Sequence, residues 1–211
     1  MKRILLPLLA VLFLTCCGTP LQTRKPVRGF LYRGEHPQAG LGAYGYLVFT
    51  AKPDAGRQTR YQRTCDSFMR SFPSIDEYRG KDPASLMITY WLLDQRIPED
   101  SACARLVEDF DYATSNEIAS EIKKLSSPGP ILVAWQTPFD SGAAKSDALV
   151  LDLSDFSEDD LDRAIGIWKE RVVKDPSVWN KGFNLVKTKE AFRNLLQRYG
   201  DQILSIIKPG K

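Results

Sequence analysis

The sequence predicts a single α/β domain: one layered unit with a mixed β-sheet of about four strands, packed by helices and ending in a C-terminal helix pair. Three observations carry this. Short runs rich in aromatic and β-branched residues recur along the chain, as in Tyr44 to Thr50 (YGYLVFT). Between them stand longer stretches whose apolar residues repeat at helical spacing, as in Arg57 to Phe72. The order (strand, helix, strand, helices, two strands, two helices) suits a sheet in which not every strand is parallel.

Tyr44 to Thr50 reads as a buried strand. In the helix over 57–72, Tyr61, Cys65, Phe68, Met69 and Phe72 share one face. Leu86 to Leu93 reads as the second strand, with a short buried helix as the alternative, then Ala102 to Phe110 and Asn116 to Leu125 as helices. Ser115 is expected to cap the latter, with Ile118, Ile122 and Leu125 inward. The stretch from Ser126 to Pro130 (SSPGP) stops that helix. Ile131 to Gln136 and Ala148 to Leu153 follow as strands, joined by a polar loop containing Gly142. Ser157 then caps a helix carrying Asp159 and Asp160 in its first turn, with Leu161, Ile165, Trp168 and Val172 inward. Thr188 is expected to cap the last helix, whose stripe runs from Phe192 through Leu195, Leu196, Tyr199 and Ile203 to Ile206.

The N-terminus has a different texture. Lys2 and Arg3 precede an apolar run from Ile4 to Leu14, too short to cross a bilayer core, which needs roughly 20 residues. It suits the h-region of an export signal. The run ends in Leu14-Thr15-Cys16-Cys17-Gly18, which resembles a bacterial lipobox, with Leu14 three positions before Cys17. The pattern departs from the motif at Cys16, where Gly, Ala or Ser is usual. The resemblance implies cleavage before Cys17, acylation of that cysteine, and, because no Asp follows it, residence at the outer membrane. Residues 1–16 are then a signal peptide and 17–39 an acylated, flexible tether. The globular domain spans 40–211. Pro20, Pro26 and Pro37 with Arg24, Lys25, Arg28 and Arg33 give the tether its linker-like composition.

Lys and Arg number 29 against 26 acidic residues. Removing the signal brings the chain closer to neutrality, so no global field would draw it onto nucleic acid. Apart from the Cys16-Cys17 pair, only Cys65 and Cys103 remain, an even number that in an oxidising compartment is expected to form a disulfide. Two cysteines and one histidine, His36 in the tether, do not make a structural zinc site.

Chemistry is sparsely signalled. Gly40-Leu41-Gly42-Ala43-Tyr44-Gly45 matches GxGxxG in letters, but these glycines follow a linker and open a strand. A dinucleotide fingerprint must follow a strand and open a helix, so no cofactor is expected. No GxSxG, Walker A or HExxH pattern occurs, and the lone His36 argues against a histidine-based triad. Asp147, Asp152, Asp155, Glu158, Asp159, Asp160 and Asp162 gather around the fourth strand and the following helix. Helix N-terminal stabilisation accounts for them; the alternatives are a calcium site, although the spacing matches no calcium loop, and a carboxylate hydrolase. Arg57, Arg60, Arg63 and Arg70 recur opposite an apolar stripe, either as a solvated face or as a surface for an anionic partner. Trp135 and Phe139, with Trp179 and Phe183, lie in loop-like sequence, either as core or as an aromatic interface for protein or glycan. The combined expectation is a membrane-anchored lipoprotein with a non-catalytic accessory or binding role and an envelope protein as partner. A hydrolase or a glycan- or peptidoglycan-binding module are the alternatives.

Overall fold

The computed structural model describes residues 23–122, 127–139, 146–179 and 182–208. Cys17, the signal segment and most of the loop around Gly142 lie outside them. Among the described residues six strands form one mixed sheet: β1 (Lys25–Tyr32), β2 (Ala43–Val48), β3 (Leu86–Leu93), β4 (Ile131–Trp135), β5 (Ala148–Asp152) and β6 (Leu204–Ile207). Their spatial order is β1-β3-β2-β4-β5-β6. β1 and β2 both run parallel to β3, and each pairing from β2 to β6 is antiparallel.

The α/β class is as the sequence predicts, but the sheet has two more strands than expected. The first is β1. Residues 25–32 (KPVRGFLY) were expected inside the tether, yet every one of them is in register with β3, from Lys25 opposite Leu86 to Tyr32 opposite Leu93. Proline and arginine are tolerated here because β1 is an edge strand, where a missing or outward-facing donor breaks no ladder. Residues 25–32, expected in the tether, therefore belong to the sheet. The second is β6. The last helix was expected to run through Ile206, but Gly200 adopts φ +85°, a conformation glycine takes without strain, and the chain leaves the helix there. Residues 204–207 then pair with β5.

Seven helices lie among the described residues: α1 (Ala55–Ser71), α2 (Cys103–Glu108), α3 (Tyr112–Ile122), α4 (Glu158–Ile167), α5 (Pro176–Trp179), α6 (Leu185–Ala191) and α7 (Arg193–Tyr199). Asp54 caps α1 and Ser157 caps α4 through their side chains. Ser115 and Thr188 are not caps. Ser115 is buried inside α3, its hydroxyl bridging the amide and carbonyl of Phe49 at 2.9 Å each. Asn184 caps α6, and the Thr188 hydroxyl bonds back to the Asn184 carbonyl at 2.9 Å. After α4 the chain widens into a π-helical turn, Trp168–Val173, which still buries Trp168, Val172 and Val173.

Alternation divides the sheet's side chains between its two faces. One face carries Trp91, which meets Phe68 of α1 with ring centroids 5.8 Å apart. The other carries Tyr44 and Tyr46 of β2, Tyr90 of β3 and Trp135 of β4. Because β1 and β2 flank β3 in the same direction, residues 33–42 must return across β3, and they do so over this tyrosine-bearing face. Tyr44 Oη accepts the Leu41 amide at 3.1 Å, and Tyr90 Oη accepts the Gln38 amide at 3.0 Å. Tyr46 Oη accepts the Phe139 amide at 3.0 Å. Burial pushes the titration of all three phenols up, that of Tyr90 to about 12.

Candidate functional site

The structure uses most of the candidate residues internally. Arg57 pairs with its own cap, Asp54, at 2.8 Å. Arg60 Nη1 donates to the Leu153 carbonyl at 3.3 Å. Arg63 pairs with Asp162 of α4, and Arg70 reaches the other oxygen of that carboxylate at 3.4 Å. Part of the polar face of α1 thus packs against α4, and each of the four arginines has a partner within the domain.

The acidic cluster has the same fate at its centre. Asp160 is 1% exposed. Its Oδ2 accepts Tyr199 Oη at 2.7 Å, Ser157 Oγ at 3.1 Å and the Arg198 guanidinium. Those bonds, the Tyr199 hydroxyl first, hold its carboxyl below the usual aspartate range despite opposition from burial. Asp152 accepts the Ser154 amide at 2.9 Å. Glu158 and Asp159 occupy the first turn of α4, where the helix terminus favours negative charge.

The loop-like aromatics are core. Trp135 and Trp179 are each 2% exposed, and Phe139 and Phe183 are half-buried against them, with centroid separations of 5.6 and 4.8 Å. Gln136 Nε2 joins the two pairs by donating to the Trp179 carbonyl at 2.6 Å. The two tryptophans are thus core, and the two phenylalanines lie partly exposed at its margin. Cys65 and Cys103 are bonded, with Cα atoms 5.6 Å apart, and join α1 to α2. Among the described residues no group of three or more His, Cys, Asp or Glu is placed to hold a metal ion.

What remains is a hollow of about 260 Å³ along the outer edge of β1, which sequence reasoning missed because it took this segment for linker. Its construction starts at Arg28. The Arg28 guanidinium bonds the Phe72 carbonyl, and reaches that of Met69 at 3.4 Å, at the C-terminus of α1. This holds Pro73 and Ser74 beside β1, where the Arg28 amide donates to the Pro73 carbonyl at 2.8 Å and Ser74 forms a one-residue parallel bridge. A 3₁₀ turn, Ile75–Tyr78, then carries the chain away. Beyond that point β1 has no outer neighbour among the described residues.

Gly29, Phe30 and Tyr32 border the hollow with Ile75, and Tyr90 and Ile88 lie behind them. A Cβ at Gly29 would come within 2.6 Å of Ile88 Cδ1 and 3.3 Å of a Tyr90 ring carbon, so a larger residue would require the end of the Ile88 side chain to move. Glu35, Asp76 and Glu99 line the hollow, together with His36, and no lysine or arginine does. Arg96 pairs with Glu35 and lies 4.8 Å over the Tyr32 ring, and Arg79 pairs with Asp76. Glu99 has only the Ser74 hydroxyl, at 3.4 Å. Burial, and then the charge of Glu99, raise the titration of the Tyr32 phenol.

Two other hollows are open and less selective. One of about 420 Å³ mixes Arg171 and Lys187 with Asp175 and Glu190. The other, about 450 Å³, lies between Lys52, Gln58, Val107 and Tyr112. No protein family, no curated protein and no solved structure matches the chain.

Proposed function

We propose that this protein is an exported lipoprotein, held at the outer membrane by acyl chains on Cys17, whose α/β domain acts without catalysis as an accessory or binding subunit of an envelope assembly. The observation that carries the reading is the Cys65–Cys103 bond between α1 and α2, a cross-link that persists where thiols are oxidised and is rare where they are kept reduced. It agrees with the lipobox-like stretch ending at Cys17 and with the charged start and short apolar run before it. In this reading attachment rests on the acyl chains, and no helix among the described residues is long and apolar enough to cross a membrane. Binding is favoured over carboxylate hydrolysis because the most buried acid of the cluster, Asp160, already serves α7.

Cys17→Ser tests the anchor. The variant is expected to leave the membrane fraction's lipid-modified pool and accumulate as unprocessed precursor. Fractionation and processing identical to wild type would remove the reading. Crosslinking of the full-length protein in intact cells tests the role, through the identity of an envelope protein recovered with it.

A further inference from the structure

We propose that the outer edge of β1 is a docking strand for an extended, positively charged segment of the partner, which adds beside Phe30 and Tyr32 and places a Lys or Arg side chain in the acidic hollow. The inference rests on the binding role above and gives that role a surface.

The backbone argument comes first. Amide groups along a strand point alternately to its two sides. The Arg28 amide points outward, to Pro73, whereas the Arg33 amide points inward, to the Leu93 carbonyl at 2.8 Å. Phe30 and Tyr32 share the phase of Arg28, so both of their N–H groups and the Phe30 carbonyl face away from β3. The Tyr32 carbonyl is taken by the Glu35 amide at 2.9 Å. Three backbone groups are left in a row, enough for a short added strand. Segment 73–74 already pairs with the edge at Arg28, so an incoming strand would extend an existing line of contacts. Exposed edges of this kind are usually blunted by lysine, proline or a covering element. Here Pro26 and segment 73–74 protect the start of β1, and the end at Phe30–Tyr32 is left open.

The charge argument selects the occupant. Of the acids that line the hollow, Glu35 is paired with Arg96 and Asp76 with Arg79, which leaves Glu99 without a charged partner among the described residues. A second copy of the chain pairing edge to edge would bring a second unneutralised Glu99 and no spare cation, and like charges across a strand pair are unfavourable. A basic segment meets the opposite condition: its backbone supplies the missing hydrogen bonds and its side chain enters beside Glu99. Strand addition of this type draws affinity from main-chain bonds and selectivity from side-chain pockets.

The test is selection of an unbiased library of unstructured seven-residue peptides against the full-length lipoprotein in micelles. Enriched peptides are expected to share a Lys or Arg, to lack proline around it, and to lose affinity at least tenfold against Glu99→Lys. Glu99 is exposed, so this variant keeps the fold. Phe30→Pro removes one outward N–H and is expected to weaken binding similarly. In the complex, hydrogen exchange should slow at the Phe30 and Tyr32 amides and stay unchanged at Gly29 and Leu31. Enrichment of acidic or purely apolar peptides, no enrichment, or indifference to Glu99→Lys overturns the proposal. So does a dimer in sedimentation that Phe30→Pro abolishes. Peptide selection does not depend on the acyl chain, so its failure leaves the Cys17 test standing, and failure of the Cys17 test leaves the edge site standing.

Discussion

Asp160, at the start of α4, receives the hydroxyl of Tyr199, at the end of α7, at 2.7 Å across 39 positions of sequence. The contact fastens the C-terminal helices to the first turn of α4, and the Tyr199 ring stacks on Phe156 at 4.3 Å alongside it. Tyr199→Phe keeps the stacking but loses both the bond to the carboxylate and the one the Ser157 amide donates to the phenol at 3.0 Å, so a loss of roughly 2–4 kcal/mol is expected in denaturant unfolding. An unchanged midpoint would show that the carboxylate is satisfied by Arg198 and Ser157 alone.

The same carboxylate makes stability depend on pH. Hydrogen bonds, that of Tyr199 first, hold the Asp160 carboxyl low. At Asp111, burial pushes the carboxyl up, but the bonds from Arg33 and Thr114 outweigh it and the net direction is again down. A carboxyl lowered by folding stabilises the protein above its unfolded value, near about 3.9, and that contribution is lost as pH falls through the folded value. Thermal melts should therefore show wild type losing stability more steeply below about pH 4 than Asp160→Asn. Parallel acid profiles would mean that the pairing is not specific to the charged form.

At the α1–α4 seam, Arg63 and Asp162 should behave as a structural pair. Arg63→Glu is expected to destabilise the fold, and a double-mutant cycle with Asp162→Ala should give a coupling of roughly 0.5–1 kcal/mol, since both groups are about one-third exposed. A melting temperature indifferent to charge reversal would return these arginines to the solvated surface.

The bond between Cys65 and Cys103 closes a loop with a sequence separation of 38. Intact mass without reduction should show neither thiol alkylated. Reduction should lower stability by about 2–4 kcal/mol, a range typical of loops this long. Alkylation of both cysteines in the unreduced protein would contradict the bond.

Trp179 is a packing residue whose ring lies under the Arg24 guanidinium at 5.1 Å and whose Nε1 donates to the Val172 carbonyl at 2.6 Å. Trp179→Ala should cost about 3–5 kcal/mol in unfolding experiments. A soluble glycan that quenched Trp179 emission in the folded protein would contradict its burial.

The sequence was legible where burial on both faces made strands into unbroken apolar runs. β3 falls at Leu86–Leu93 as expected, and β2, β4 and β5 are within two residues at each end. Helix α1 was legible because one face repeats at helical spacing, but its start was placed at Arg57, and the Asp54 cap that begins it at Ala55 was not read. β1 and β6 were hidden for opposite reasons. β1 carries Pro26, Arg28 and Gly29, which edge position permits and local reading takes for linker. β6 (LSII) continues the helical spacing of the stripe before it, and only the backbone at Gly200 breaks the pattern. The arginines and acids were each legible as surface charges. That Arg63 and Arg70 meet Asp162 was not, because the partners lie more than 90 positions apart. The edge hollow was illegible for the same reason, being assembled from β1, the turn after α1 and the segment after β3.

The early start of β1 also sets a leash. With the sheet beginning at Lys25, an anchor at Cys17 leaves only residues 18–24 between lipid and domain, a reach of roughly 25 Å at full stretch. Were Cys17 the anchor, the start of β1 would have to stay within that reach of the lipid, and the domain could not diffuse away from the surface. Any partner strand would then be met by lateral diffusion along a surface, where encounter depends on the density of both proteins in the membrane more than on their concentration in the surrounding fluid.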